Sequence, residues 1–423
     1  MTEHASSHRR ADAKAATVAL VLLTGLNLVN YIDRYVLNGV QELVKAEFHV
    51  SDERLGSLVT YFFITYVIAA PATGWLGDHF PRKPLIVIGA LFWSTVNLFS
   101  ALVHSFDALL VRHAALGIGE ASFGIFGPAL LSDFYPPEQR NRALTIFNIA
   151  IPVGAAIGYA AGGWLGQVHG WRSAFYVSAI PGLLLALAIL FLMREPKRGG
   201  LDEGETAQAK RGAARMDNYL GLLKNPAYLF ATLGYAMSTF TIGGISAWIP
   251  SFLQREAHMS SSSAGFTVGA ITAATGLLGT AAGGWIAQRW LPRDHRALYW
   301  VSALGPALCI PFALLCFFGP VKTMLPALAL AEFTLFLASG PVNAAIVNSV
   351  SAQVRATALA GQLFLIHLLG DVPSPRIIGF VSDRSNLRWG LGVTVAALVV
   401  SALLQVLGAR HAPSESSLSV AAG

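Results

Sequence analysis

The sequence has little charge for its length. Only 12% of its 423 residues are aspartate, glutamate, lysine or arginine, whereas 54% are hydrophobic. Soluble domains carry roughly 25% charged residues, so a large soluble core is excluded as the main architecture. The mean hydropathy of +0.56 indicates a polytopic membrane protein.

Cysteine and enzyme signatures are also scarce. Cys309 and Cys316 lie seven residues apart, about two helical turns, which is too far for a disulfide. We predict that both pack in the interior and that no metal is bound.

The sequence also lacks common enzyme signatures. There is no Gly-x-Ser-x-Gly, no His-Glu-x-x-His and no phosphate-binding loop ending in Gly-Lys. We therefore predict neither an enzyme nor a cofactor, and no direct use of ATP.

Long apolar runs make up most of the chain. Each is about long enough to cross a hydrocarbon layer of about 30 Å, so we predict an all-α membrane protein with twelve transmembrane helices. The runs cover residues 16–40, 54–77, 84–103, 106–132, 142–167, 173–193, 226–250, 262–288, 296–318, 323–349, 355–382 and 388–408. The first run is long enough to span the membrane and does not resemble a cleaved signal peptide.

The polar stretch 194–225 divides these runs into two groups of six. The halves echo one another, because YFFITYVIAAPATGWLGDHF (61–80) resembles ITAATGLLGTAAGGWIAQRW (271–290). A repeat of six helices is expected of secondary transporters, whose substrate site lies between the halves. We predict two pseudo-two-fold related bundles with a linker and two tails, namely tail 1–15, bundle 16–193, linker 194–225, bundle 226–408 and tail 409–423.

Lysine and arginine are distributed unevenly between the two sides. With the N-terminus in the cytoplasm, nineteen lie in cytoplasmic segments, seven in outer segments and three inside spans. This asymmetry predicts that both termini lie in the cytoplasm. We expect an integral protein of a bacterial inner (cytoplasmic) membrane. It also explains the basic composition, so we predict no nucleic-acid partner.

Two motifs concern helix packing and gating. GWLGDHFPRK (74–83) is similar to the loop signature of the major facilitator superfamily, which it matches at Gly74, Asp78, Arg82 and Lys83. We expect Gly74 to permit close helix approach and Asp78 to pair with a nearby arginine as a cytoplasmic gate. IPVGAAIGYAAGGW (151–164) places glycines at four-residue spacing, which lets two helices touch closely.

Charged side chains interrupt the apolar runs at two places in the first half. NYIDRYVLNGV (30–40) carries Asp33 and Arg34, and RHAALGIGEAS (112–122) carries Arg112 and Glu120. Ionisable residues inside a membrane are costly and usually face an interior cavity. Counting residues along the helices predicts that Asp33 or Arg34 shares a cavity with Arg112, with Glu120 about two turns deeper. A structural ion pair is the alternative.

These residue types suit coupled transport. A buried carboxyl can bind or release a proton when an arginine neighbour moves, and arginine suits phosphate or carboxylate headgroups. Tyr31 is a further candidate for lining the cavity. In the second half, His367 and Asp371 are four residues apart and can pair on one helix face, either as a coupling element or as a structural pair. Glu332 is a weaker candidate.

The runs NYIDRYVLNGV and RHAALGIGEASFGIFGPALLSDFYPPEQR resemble the Spinster family of the major facilitator superfamily. That family includes bacterial homologues and animal sphingosine-1-phosphate and lysophospholipid transporters. The resemblance implies a twelve-helix alternating-access carrier of amphipathic lipid. It implies that Asp33 and Glu120 are protonation sites and that Arg34 and Arg112 are gating or headgroup partners.

The leading hypothesis is therefore a proton-coupled exporter of a lysophospholipid or sphingosine-phosphate-like molecule, energised by the proton gradient and functional as a monomer. A carrier of small organic anions is the alternative within the same class. An uncoupled lipid facilitator or scramblase is the alternative from another class, because buried charges alone suit passive lipid movement. A receptor or scaffold is disfavoured, since the longest polar stretch has about thirty residues.

Overall fold

The computed structural model describes residues 2–196, 221–351 and 354–413. Every regular secondary-structure element in these residues is helical. This confirms the predicted all-α class. In chain order the helices are α1 (Thr2–Phe48), α2 (Asp52–His79), α3 (Arg82–Ser100), α4 (Phe106–Asp133), α5 (Pro137–His169), α6 (Trp171–Leu192), α7 (Pro226–Glu256), α8 (Ser261–Trp290), α9 (Ala297–Phe318), α10 (Val321–Phe336), α11 (Ser339–Asn348), α12 (Arg355–Ile366), α13 (Ser374–Arg384) and α14 (Leu387–Arg410).

Within this described part, eleven helical segments are long and apolar enough to cross a membrane. The remaining long helix, α7, buries several hydroxyl side chains, among them Ser238, Thr239 and Thr241. Ser238 shares a hydrogen bond of 2.8 Å with Ser401. Hydroxyls lower the hydropathy of α7 while their hydrogen bonds make burial tolerable.

Two predicted spans are interrupted. The span predicted at 323–349 divides into α10 and α11, because Pro341 lacks the N–H that would bond the carbonyl of Leu337 in a continuous helix. The span predicted at 355–382 contains a π-helical turn at His367–Asp371 between α12 and α13. Its wider register is visible in the hydrogen bond from the Val372 N–H to the His367 carbonyl, at 3.0 Å.

Several predicted boundaries lie elsewhere. The first helix extends well beyond 16–40 at both ends, as α1 (Thr2–Phe48), and the last helix ends at Arg410. Most of the predicted linker 194–225 and the end of the predicted tail 409–423 lie outside the described residues.

The helices group into two compact units. The first unit contains α1, most of α2, α3 to α6 and residues 260–269 at the start of α8. The second contains residues 50–60, α7, the rest of α8 and α9 to α14. The first unit therefore holds both charged motifs of the N-terminal half, and the second holds Glu332, His367 and Asp371.

The predicted glycine contacts join α1 and α5. A Cβ placed on Gly154 would lie 2.7 Å from the Leu28 carbonyl oxygen, and one on Gly158 would lie 2.8 Å from that of Ile32. Gly162 faces the Val36 carbonyl in the same way. Small residues at four-residue spacing thus let the two backbones touch. The contact fixes the height of α1, and with it the positions of Asp33 and Arg34.

Replacing Gly158 with alanine should destabilise the protein by about 1–3 kcal/mol, because its Cβ would press on a backbone that cannot rotate away. Gly284→Ala is the matched control, since no described atom lies within 4 Å of its Cβ position. The control should be neutral, or stabilising by up to about 1 kcal/mol through helix propensity. Thermal unfolding in detergent would compare the two. Equal midpoints would contradict the proposed packing role.

Candidate functional site

An ion pair joins the two charged motifs of the first unit. Nη2 of Arg34 on α1 lies 2.8 Å from Oε2 of Glu120 on α4, and Nε lies 3.2 Å from the same oxygen. The Glu120 side chain is fully buried, whereas the Arg34 side chain keeps 17% of its surface exposed. A buried carboxylate is stabilised by such a charge-assisted contact. The ion pair considered from the sequence, between Arg112 and Glu120, is therefore not formed in the described structure, and Arg34 is the cation beside Glu120.

Aromatic rings surround the Arg34 guanidinium. Its central carbon lies 5.0 Å from the ring centre of Tyr31, 5.2 Å from Phe62, 5.7 Å from Phe63 and 5.6 Å from Tyr66. A cation attracts the faces of such rings. The result is a partly exposed positive charge in apolar surroundings. Such a group is suited to an anion that carries hydrocarbon.

Asp33 lies beside this pair but has different partners. It is completely buried, and Nδ2 of Asn97 on α3 donates to its Oδ1 at 2.8 Å. The same amide nitrogen lies 2.8 Å from the hydroxyl of Ser178 on α6. Oδ2 of Asp33 has no hydrogen-bond partner among the described residues. The first unit thus contains a second buried carboxyl without an ion-pair partner in the described structure.

Arg112 does not join Asp33 or Glu120 in the described structure. Its guanidinium lies over the ring of Phe99 on α3, 5.4 Å from the ring centre. The prediction that Glu120 lies about two turns deeper than Arg34 is therefore wrong. Glu120 lies level with Arg34, because α1 is longer than its predicted run at both ends and the relative heights of α1 and α4 are set by packing.

The loop motif 74–83 contributes a different cluster. Nη1 of Arg82 pairs with Oδ2 of Asp133 at 2.6 Å, across α3 and α4. The backbone N–H groups of Arg82 and Lys83 both donate to the carboxylate of Glu195 at 2.8 Å. A carboxylate at a helix N-terminus is stabilised by these otherwise unsatisfied donors. The cluster ties α3 to residues that follow α6.

The predicted role of Gly74 is wrong. No described atom lies within 4 Å of the position that its Cβ would occupy. Gly77 makes the close contact instead, because a Cβ there would lie 2.5 Å from the ring of Phe126 on α4. Asp78 is exposed, and the cation of the motif, Arg82, pairs with Asp133.

Tyr135 contacts α1 near the end of α4 that carries Asp133. It lies in the connection between α4 and α5, and its hydroxyl donates to the Ala16 carbonyl on α1 at 3.0 Å. Burial raises the pKa of Tyr135 above its ordinary value. The hydroxyl therefore keeps the proton with which it binds α1.

In the second unit, His367 and Asp371 pair as their spacing predicted. Nδ1 of His367 lies 2.6 Å from Oδ2 of Asp371 within the π-helical turn. Both side chains are largely buried. π-Helical turns are frequent at functional sites because they redirect side chains within a helix. Glu332 lies on α10, is 5% exposed, and meets hydroxyls of α8.

Several residues of the site were not identified from sequence. They are polar residues in or beside apolar runs, and that polarity was the only signal the sequence offered. The local sequence does not show which partners they contact. These residues are Asn97, Ser178, Asp133 and Glu195.

Other residues of the spans have structural roles. Two aromatic residues, Phe123 and Trp248, are core residues with at most 1% exposure. No group of three metal-ligating side chains occurs in the described part of the chain. Both cysteines are free and buried.

Helical spans, buried charges and glycine-mediated packing define the class as a polytopic membrane transporter. Residues 23–370 match the family model described as Major Facilitator Superfamily. Mouse "Protein spinster homolog 1" is 33% identical over 392 residues, covering 88% of this chain and 74% of the relative. "Sphingosine-1-phosphate transporter SPNS2" of Xenopus tropicalis is 33% identical over 388 residues, covering 88% of this chain and 74% of that relative.

Solved structures share the fold. A crystal structure of a bacterial homologue of the human lysosomal transporter Spinster has a TM-score of 0.86 at 23% identity, covering 94% of this chain and 98% of that one. A D-xylose–proton symporter has a TM-score of 0.72 at 16% identity, covering 91% and 97%. The chain belongs to the Spinster family of the major facilitator superfamily. It is a transporter and not an enzyme.

The Arg34–Glu120 pair should show energetic coupling. Glu120→Gln leaves Arg34 without its counter-charge, and Arg34→Gln leaves a buried carboxylate without a cation. Each single change should cost on the order of 3 kcal/mol. The double variant should be more stable than the sum of the two losses implies, by about 1 kcal/mol or more. Thermal unfolding of all four proteins measures this cycle, and strict additivity would show that the pair does not contribute as a unit.

Arg82 and Lys83 should differ in importance, although both match the loop motif. Arg82→Gln removes the ion pair with Asp133, whereas Lys83→Gln leaves intact the backbone contact that Lys83 makes with Glu195. We expect Arg82→Gln to lower stability by about 1–3 kcal/mol and Lys83→Gln by less than about 0.5 kcal/mol. Thermal unfolding would compare the variants side by side. A larger loss for Lys83→Gln would contradict the assignment.

Proposed function

We propose that this transporter moves an amphipathic lipid with an anionic headgroup, such as a lysophospholipid or a sphingosine-phosphate-like molecule, and couples its movement to protons by alternating access. The observation that carries the proposal is a charge imbalance inside the first unit. Asp33 and Glu120 are both buried, and Arg34 is the cation that contacts either of them in the described structure.

The imbalance supports proton coupling. A buried carboxylate without a counter-charge costs several kcal/mol, and binding a proton removes that cost. Glu120 is compensated while Arg34 remains beside it. An anionic headgroup that attracts Arg34 would weaken this compensation, so that Glu120 then favours a proton. Asp33, next in sequence to Arg34, responds to the same movement of α1.

The surroundings of Arg34 support a lipid cargo. A headgroup phosphate or carboxylate suits the guanidinium, and the four nearby rings suit the start of a hydrocarbon chain. One similar protein is named a sphingosine-1-phosphate transporter, which agrees with this chemistry. The asymmetry of lysine and arginine supports cytoplasmic termini in an inner membrane. We propose that one chain suffices for transport.

Transport of fluorescent lysophospholipid in proteoliposomes, with and without an imposed pH gradient, tests the proposal. Gradient-driven transport should fall about tenfold or more in Asp33→Asn and in Glu120→Gln, because each removes a proton-binding group. Glu138→Gln is the matched control, since this carboxylate is exposed in the first turn of α5. The control should resemble the wild type.

Other outcomes identify the alternatives. Transport that ignores the gradient and survives both substitutions would contradict proton coupling and indicate a lipid facilitator. Transport of a small dicarboxylate in place of the lysophospholipid would contradict the lipid cargo and indicate an organic-anion carrier.

A further inference from the structure

Glu332 is a buried acid that the site in the first unit does not use. It lies on α10 in the second unit, and its residue surface is 5% exposed. Its contacts in the described structure are hydroxyl groups from α8, with Thr272 Oγ1 3.3 Å from Oε1 and Thr275 Oγ1 3.1 Å from Oε2. No lysine, arginine or histidine of the described residues pairs with it.

Close helix packing holds this arrangement in place. A Cβ on Gly279 of α8 would lie 2.6 Å from the Phe333 carbonyl oxygen, directly after Glu332. A second helix makes a similar contact, because a Cβ on Gly305 of α9 would lie 2.8 Å from the Thr334 carbonyl oxygen. Backbone contacts with α8 and α9 hold α10 in place on either side of Glu332 in the sequence. The threonines are consequently fixed partners rather than chance surface contacts.

The Thr275 hydroxyl can donate its one hydrogen fully to only one of its two contacts. The Thr275 hydroxyl has one hydrogen and two oxygens within reach, the Ile271 carbonyl at 2.7 Å and Glu332 Oε2 at 3.1 Å. Donation to the carbonyl four residues earlier is the usual arrangement of threonine in a helix, and here it is the shorter contact. The Thr275 oxygen is then free to accept a hydrogen bond from Glu332. Only a protonated Glu332 has a hydrogen to donate.

The Thr272 contact fits the same assignment. Its hydroxyl can donate to Oε1, which is the carbonyl oxygen of a neutral acid whose hydrogen sits on Oε2. Both contacts are then satisfied without any charge. An ionised Glu332 would instead have one hydroxyl donor, at 3.3 Å, and no described cation would pair with it. This is a poor environment for a buried charge.

The sequence repeat gives a second, independent comparison. α4 and α10 are the fourth transmembrane spans of their respective halves, and each carries one buried glutamate, Glu120 and Glu332. Glu120 is neutralised by Arg34 from the first span. The first span of the second half is α7, which has no charged residue before Arg255. The second half therefore lacks an arginine in α7 that would match Arg34.

We propose that Glu332 is a second proton-binding site, protonated in this structure and hydrogen-bonded to Thr275, and that it releases its proton during transport. This rests on the proposed proton coupling. The step converts a carboxylic acid into a carboxylate and a proton delivered to water, with no other bond changed. The thiols of Cys309 and Cys316 on α9 are titratable groups that interact electrostatically with Glu332, and the contacts from α8 are hydroxyls.

Infrared spectroscopy of the reconstituted protein tests protonation without any need for transport. The wild type should show a protonated-carboxyl C=O band near neutral pH that is absent in Glu332→Gln, retained in Glu138→Gln and lost reversibly at high pH. Thr275→Val should shift this band because it removes the hydrogen-bond acceptor, whereas Thr275→Ser should leave it in place. A spectrum in which Glu332→Gln removes no such band would overturn the proposal.

A transport measurement then tests release. Glu332→Gln should keep lysophospholipid exchange without a gradient within about twofold of the wild type but lose gradient-driven accumulation by about tenfold or more. Unchanged accumulation would overturn the coupling role and leave a structural proton. Absence of gradient-driven transport in the wild type would contradict the proposed function itself, and the infrared band would still decide whether Glu332 binds a proton.

Discussion

Keeping the Glu120 carboxylate inside an apolar unit is the constraint on which the first unit depends. The carboxylate is stable there because Arg34 reaches it, and Arg34 reaches it only if α1 and α4 stand at the right heights. Backbone contact between α1 and α5 at Gly154, Gly158 and Gly162 fixes that height. The glycines and the ion pair are thus one arrangement, since a shift of α1 by one residue would break both.

The two units neutralise their buried acids differently. In the first, Arg34 compensates Glu120, and Asn97 supports Asp33 through a hydrogen bond. In the second, His367 pairs with Asp371, while Glu332 meets threonine hydroxyls. Arginine keeps its charge at all accessible pH values, whereas a carboxyl held by hydroxyls can change charge with one proton. This chemistry is the reason why headgroup binding is proposed for Arg34 in the first unit and proton binding for Glu332 in the second, in addition to the carboxyls proposed in the first.

The loop motif illustrates how a signature can be right about family and wrong about contacts. The arginine of the motif, Arg82, forms an ion pair with Asp133, and its backbone N–H donates to Glu195. Both partners are distant from the motif in the sequence. The glycine that touches another helix is Gly77 rather than Gly74. Either glycine is compatible with a close approach, so only the rotation of α2 about its axis decides which one faces Phe126.

The sequence by itself determined the class, the approximate spans, the membership of the family and which side chains are costly to bury. These follow from hydropathy, from the repeat and from the presence of Asp33, Arg34, Glu120 and Glu332 in apolar runs. Only the tertiary structure decided which of these side chains contact each other. It paired Arg34 with Glu120 and placed Arg112 over Phe99, because partners on different helices depend on helix heights and rotations that no local pattern encodes. It also placed two hydroxyls beside Glu332, since that contact requires the close packing of α8 on α10.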